Sequence, residues 1–239
     1  MSQFEALFGI RKSQVKKSCI LLPLLHKLIL REFKVRKISR GKLFGSGNAN
    51  DFTLIHTGLG PSLVGDAVLY LKETPCQNIV LFGSCGLVTE KEGLSIGSLV
   101  SPFKCYANES FSEMLLESNI RPKAFYAHGA LLEKFLNAHP NAHIRKVTCS
   151  TVSSLKLEED FVGSFLEKEI EVVDMECSAF FSAANFTGLN AMALFYITDI
   201  IKEKPFYRDL GPILKLKLFS SIKNAVNLLC EFMKMNSSA

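Results

Sequence analysis

The run from Ile170 to Asp199 constrains the fold more than any other part of the chain. Ile170 to Val173 is a short β-branched stretch. The polar trio Asp174, Met175 and Glu176 separates it from an apolar helix expected over Cys177 to Thr187, which Gly188 closes in the left-handed conformation that glycine adopts most cheaply. Ala191 to Ile197 then has no polar alternation, the mark of a strand buried on both faces, and stops at Thr198 and Asp199. Strand, helix and buried strand make an α/β unit, and ligands of open α/β sheets sit beyond the carboxyl ends of strands. Glu176 and Asp199 are therefore expected to face one pocket.

The rest of the chain agrees with a single α/β domain. At 239 residues it can hold one sizeable core, and with 48% hydrophobic against 21% charged residues it is not a disordered chain. The expected architecture is a twisted central mixed sheet flanked by helices. Residues 1–17, with Phe4, Leu7, Phe8 and Ile10 among polar residues, read as an N-terminal extension, an amphipathic helix packed on the body or on a partner subunit; 18–239 form the domain. The net charge of +5 comes mostly from cations crowded between Arg11 and Lys42. Without interleaved aromatics or a nucleic-acid module they read as a solvated face, so no nucleic acid is expected as a partner. Seven cysteines are scattered and never form a Cys-x-x-Cys pair, which fits reduced thiols in a cytoplasm and no metal site. Cys19 to Leu30 is too short for the ~20 residues that cross a bilayer, so no membrane segment is expected.

Strands are expected at Cys19–Leu22, Lys34–Ile38, Asp51–His56, Ile79–Phe82 and Ile144–Cys149, with a turn-rich loop over 41–50. Helices are expected after Pro61 with Ser62 as N-cap, and at Leu131–Ala138, Glu158–Lys168 and Leu210–Met235. Two glycine-rich stretches, Thr57-Gly58-Leu59-Gly60-Pro61 and Gly83-Ser84-Cys85-Gly86, read as turns that let backbone N–H groups approach an anion or a nucleophile, with the Ser84 hydroxyl beside them.

These features together resemble the purine nucleoside phosphorylase and methylthioadenosine/S-adenosylhomocysteine nucleosidase superfamily. Asp-Met-Glu opening a small-residue helix, a strand ending Thr-Asp, and both glycine stretches occur in the family's order from about Thr53 to Asp199. The resemblance implies a nucleoside substrate, no cofactor, phosphate as a second partner in some members, and a homo-oligomer. It gives Asp199, next to Thr198, the role of an acid at purine N7, Glu176 the ribose hydroxyls, and Met175 the face of the sugar. Gly58, Gly60, Gly83 and Gly86 with Ser84 would position the nucleophile, and Arg208 sits where some phosphorylases keep an arginine that pairs with the catalytic aspartate.

Phosphorylases of the superfamily typically carry an arginine where this chain has Leu81, so water rather than phosphate is expected as nucleophile. Two family features have no counterpart: a water-activating carboxylate, in whose place only His26 offers a base, and a base-stacking aromatic after the strand ending near Cys149. Phe180 and Phe181 resemble the futalosine hydrolases. Phe111 to Leu116, with Met114, could supply a hydrophobic wall. A phosphate-dependent phosphorylase and a catalytically silent nucleoside-binding protein stand as alternatives.

Overall fold

Three apolar strands with no polar face to show water occupy the centre: β1 (Ser18–Leu22), β5 (Asn78–Leu87) and β10 (Asn190–Ile200). β5 pairs in parallel with β1 on one side and β10 on the other. Successive side chains enter opposite layers. Leu21, Leu81 and Ala193 face one cluster of core residues, while Ile20, Val80 and Met192 face the other. The computed structural model describes residues 1–110 and 123–237, so the 111–116 wall lies outside the described residues.

The first layer is covered by α1 (Gln3–Phe8), α3 (Pro61–Leu71) and α6 (Cys177–Thr187). Phe4 and Phe8 are buried with Phe44, so the N-terminal segment packs on the body of its own chain. The second layer is covered by α2 (Lys27–Glu32), α4 (Gly129–Ala138) and the long closing helix α7 (Gly211–Ser237). A short helix, α5 (Val162–Glu167), covers a third, smaller cluster with Val173 and Ile201. No helix among the described residues is long and apolar enough to cross a membrane.

The mixed sheet also closes partly on itself. β6 (Leu99–Asn108) pairs antiparallel with β10 and parallel with β8 (Arg145–Val152), and β9 (Val172–Asp174) bridges β8 back to β5. The strands β5, β10, β6, β8 and β9 thus form a ring, with β7 (Ala124–Tyr126) on its edge. Beyond β1 the sheet continues open through β4 (Thr53–His56), β3 (Gly45–Asn48) and the two-residue β2 (Ser39–Arg40). Ring closure brings the ends of β5, β9 and β10 to one place.

Four local expectations are corrected. Lys34–Ile38 is not a strand, because Lys34 at φ 57° and Val35 turn back to bond the carbonyls of Arg31 and Leu30, closing α2. Residues 45–48 are a strand despite their glycines, because the 35–38 segment crosses so near that a Cβ on Gly47 would lie 2.6 Å from the Lys37 carbonyl oxygen. Ser62 is not the cap of α3; Gly60 is, with Pro61 in the first turn, where its missing N–H costs nothing. Gly83 to Gly86 are not a turn but the last part of β5, held straight by pairing with β10.

Gly47→Ala is expected to destabilise the fold by about 1–3 kcal/mol through overpacking. A melting temperature lowered by several degrees would show it; an unchanged one would mean that the crossing segment yields freely.

Candidate active site

The site begins with an irregularity. β10 pairs regularly with β5 up to Ile197 and Cys85, then takes one extra residue, so that Asp199 lies opposite Gly86. Such a bulge re-aims the following side chain. Thr198 is the inserted residue, and its hydroxyl donates to Asp199 Oδ1 at 2.6 Å. Gly86 is needed for space here: a Cβ would lie 3.1 Å from Asp199 Oδ2.

Glu176 is placed by two neighbours. Asp174, at the end of β9, turns its carboxylate onto the start of α6, where Oδ2 accepts from the N–H of Glu176 at 2.9 Å and of Cys177 at 2.6 Å. Its Oδ1 accepts from Thr151 Oγ1 at 2.6 Å. Asp174 therefore does the capping, which leaves the Glu176 side chain free to reach across the strand ends. There Oε1 accepts from Gly60 N–H at 2.7 Å. Gly60 can offer that N–H because its φ of 104° is open to glycine alone. The Gly60 N–H thus faces Glu176 and not an incoming anion, contrary to the sequence expectation.

Gly86, Asp174, Glu176, Thr198 and Asp199 line a cavity of about 210 Å³ together with Ser84, Cys85, Met175, Val173, Leu24, Leu59, Leu155, Glu158 and Phe206. A narrower recess shares Ser84, Glu176, Leu24 and Leu59 with it and reaches Gly83. Of the residues singled out in the sequence, Ser84, Gly86, Met175, Glu176, Thr198 and Asp199 converge on the main cavity. Gly58 and Gly60 shape the loop that meets Glu176. Arg208 is exposed and is not on the cavity wall, so no pairing with Asp199 is found. His26 is exposed and caps α2 through Nδ1. Phe180 and Phe181 are fully buried in the core and line neither cavity.

Sequence reasoning missed three contributors. Phe206, in the loop after β10, supplies an aromatic wall from a place far from the one where it was sought. Asp174 was visible within the trio, but its capping role was not. Glu158 lies in a turn where Ser154 Oγ accepts from Leu157 N–H, and nothing in its acidic surroundings distinguishes it from a helix start.

The wall carries four carboxylates and no lysine, arginine or histidine among the described residues. Burial without a cation pushes carboxyls toward the neutral form. Desolvation raises Glu176 to about 7, against the opposing pull of the Gly60 and Met175 N–H groups. It raises Glu158 to about 7 as well, helped by the negative charge of Asp199. Asp199 is raised too, by desolvation that the Thr198 hydroxyl partly offsets. The site can therefore hold a proton for a leaving group and stabilise a cation.

Cys105, Cys149 and Cys177 bring their sulfurs within 4.8 Å of one another, a convergence that their spacing in the sequence does not show. They could hold a thiophilic ion: burial pushes the Cys149 and Cys177 thiols well up, while at Cys105 the same burial is outweighed by hydrogen bonds from Cys149, Cys177 and Thr151, which hold it well below the usual thiol range. Cys149 lies 3.6 Å from Asp174 Oδ1, so the cluster packs behind the helix cap.

With this geometry in view, the family model described as the phosphorylase superfamily matches residues 21–210. The chain belongs to this superfamily. It is accordingly an enzyme of the nucleosidase or nucleoside phosphorylase kind. Similar solved structures include a 5'-methylthioadenosine/S-adenosylhomocysteine nucleosidase from Campylobacter jejuni, at 13% identity, covering 91% of this chain and 98% of that one, with a TM-score of 0.71. A uridine phosphorylase from Vibrio fischeri shares 18% identity over 95% and 94% of the two chains, with a TM-score of 0.74. A futalosine hydrolase mutant from Helicobacter pylori shares 14% over 92% and 100%, with a TM-score of 0.67. No curated protein sequence matches. At these identities the likeness is one of fold.

The raised carboxyls of this superfamily member have a measurable consequence. A carboxyl whose folded pKa is raised keeps its proton while the unfolded chain loses it, so stability falls as pH climbs from the ordinary value of 4.5 to about 7 and is level above. Glu158→Gln removes that fall for one group. Its stability relative to wild type, from urea melts of ligand-free protein, is expected to rise from near zero at pH 5 to more than about 1 kcal/mol at pH 8. A difference that does not change with pH would contradict the burial argument.

Proposed function

We propose that the protein hydrolyses the N-glycosidic bond of a purine-type nucleoside, with a substrate resembling 5'-methylthioadenosine, S-adenosylhomocysteine or futalosine, and with water as the nucleophile. The observation that carries this reading is the charge of the cavity: four carboxylates and no cationic side chain on its described wall. A phosphate dianion brought there loses its water, finds no guanidinium to pair with on the described wall, and meets repulsion from each carboxyl that is ionised. Water meets no such barrier, and the oxocarbenium-like sugar that forms as the bond breaks is stabilised by the same negative field. Leu81, at the position where an arginine would bind phosphate, is wholly buried in the core layer and cannot be replaced in that role by a side chain on the wall.

The roles follow from chemistry and place. Asp199, whose hold on a proton desolvation strengthens, gives its proton to purine N7 and lets the base leave neutral. Glu176 accepts the ribose hydroxyls, each charge-assisted bond contributing about 1.5–3 kcal/mol. Met175 covers the sugar, Phe206 and Leu155 offer apolar surface to the base, and Ser84 orients the water. We also read the enzyme as cytoplasmic, in keeping with its free cysteines, and as a homo-oligomer that would cover the face of α3 and α6 where Leu69 and Phe186 are exposed.

The test is base release from methylthioadenosine, S-adenosylhomocysteine, adenosine, inosine and futalosine, each with and without phosphate. Release that needs no phosphate is expected, with Asp199→Asn lowering kcat by about 10²–10⁴-fold. Release only with phosphate would make the enzyme a phosphorylase, and nucleoside binding without release would make it a silent binder.

A further inference from the structure

Glu158 is the one member of the carboxylate set that the proposed mechanism leaves without a task. It is only 5% exposed. The turn that carries it is fixed from within: its own N–H donates to the Ser154 carbonyl, and the carbonyl of Glu158 accepts from Phe161 N–H. The side chain is turned onto the cavity wall that also bears Asp199. By contrast with Asp174, Glu176 and Asp199, which accept from Thr151, Gly60 and Thr198, the Glu158 carboxylate accepts no hydrogen bond from any described residue. Its oxygens are open to the cavity and not sealed in the core, so the partner they lack is one that a ligand entering the cavity can supply.

What completes it must carry an N–H or O–H and must lie beside the group that Asp199 touches. On the major-groove edge of adenine, N7 accepts and the 6-amino group donates, side by side. On the same edge of a 6-oxo purine, both N7 and O6 accept. Facing N7, which only accepts, the pair of carboxyls places its proton on Asp199 and leaves Glu158 as the acceptor, so that it offers one donor and one acceptor, the complement of the first edge and the wrong partner for the second. We propose that Glu158 is a specificity-determining residue that accepts a hydrogen bond from the exocyclic amino group of the base, so that the enzyme selects 6-aminopurine over 6-oxopurine nucleosides. This rests on the reading of Asp199 as the acid at N7. With it, the substrate narrows to the methylthioadenosine type and away from the futalosine type. Phe206 and Leu155 on the same wall are 53% and 41% exposed, leaving apolar surface for the flat faces of either base. Selection thus falls to the polar edge.

The experiment uses a matched pair that differs only at C6, 5'-methylthioadenosine and 5'-methylthioinosine, with wild type and Glu158→Gln. A site built around a hydrogen bond rejects the analogue that cannot make it far more strongly than an apolar pocket does. Wild type is expected to favour the amino substrate by at least about 10²-fold in kcat/KM, and Glu158→Gln to bring that ratio within about tenfold of unity. The oxo substrate should gain, because the glutamine amide can turn its NH₂ toward O6. Equal use of both substrates by wild type, or a preference untouched in the variant, would overturn the proposal. Calorimetric binding of the same two compounds separates this inference from the reading beneath it. Should neither be cleaved, hydrolysis fails, while a binding preference that the glutamine variant abolishes still upholds Glu158, and one that it leaves intact rejects it.

Discussion

Everything at the site depends on the parallel pairing of β5 and β10 and on the extra residue that interrupts it. Two buried apolar strands fix each other's register, because a slip by one residue would send every side chain to the wrong layer. The bulge at Thr198 then moves one polar side chain out of that strict alternation and over the end of the ladder, against a glycine that leaves it room. Asp199 is therefore held by the core and not by a loop. The same strand ends receive Glu176 because Asp174 satisfies the N–H groups at the start of α6. A structural carboxylate thus frees another to face the cavity.

The collection of these groups has an electrostatic consequence. Several desolvated carboxyls in one cavity disfavour their ionised forms, and with no cation on the described wall each holds its proton more strongly than it would in water. Such a cavity is hostile to anions and receptive to a developing positive charge. In the proposed hydrolysis that asymmetry would join the acid that a departing base needs to the field that a cationic sugar needs, in one set of side chains. The desolvation it requires weakens the empty protein at neutral pH, a trade of stability for function common at active sites.

Much of this was legible in the sequence where a pattern is local. The apolar runs at Ile79–Phe82 and Ala191–Ile197, the helix closed by Gly188 and the trio before it are short-range signals, and all fall in the elements expected of them. Glycine misled twice, at Gly45–Asn48 and at Gly83–Gly86, because a residue without a side chain serves a crowded strand as well as a turn, and only the neighbouring backbone decides which. Glu158 and Phe206 were illegible for a different reason: each reaches the cavity from a loop whose path is set by ring closure and by packing on α5 and β10, and no local spacing records that. The convergence of three cysteines from β6, β8 and α6 was hidden in the same way.

The most direct test of the central claim, that an anionic cavity directs water to the sugar, follows the oxygen. Wild-type enzyme would turn over methylthioadenosine in phosphate-containing buffer made with isotopically heavy water, and the sugar product would be weighed by mass spectrometry. Incorporation of one heavy oxygen into the freed sugar, with no sugar phosphate formed, is expected. A product carrying phosphate at the anomeric carbon would contradict it, and would mean that a cation from outside the described wall neutralises the site.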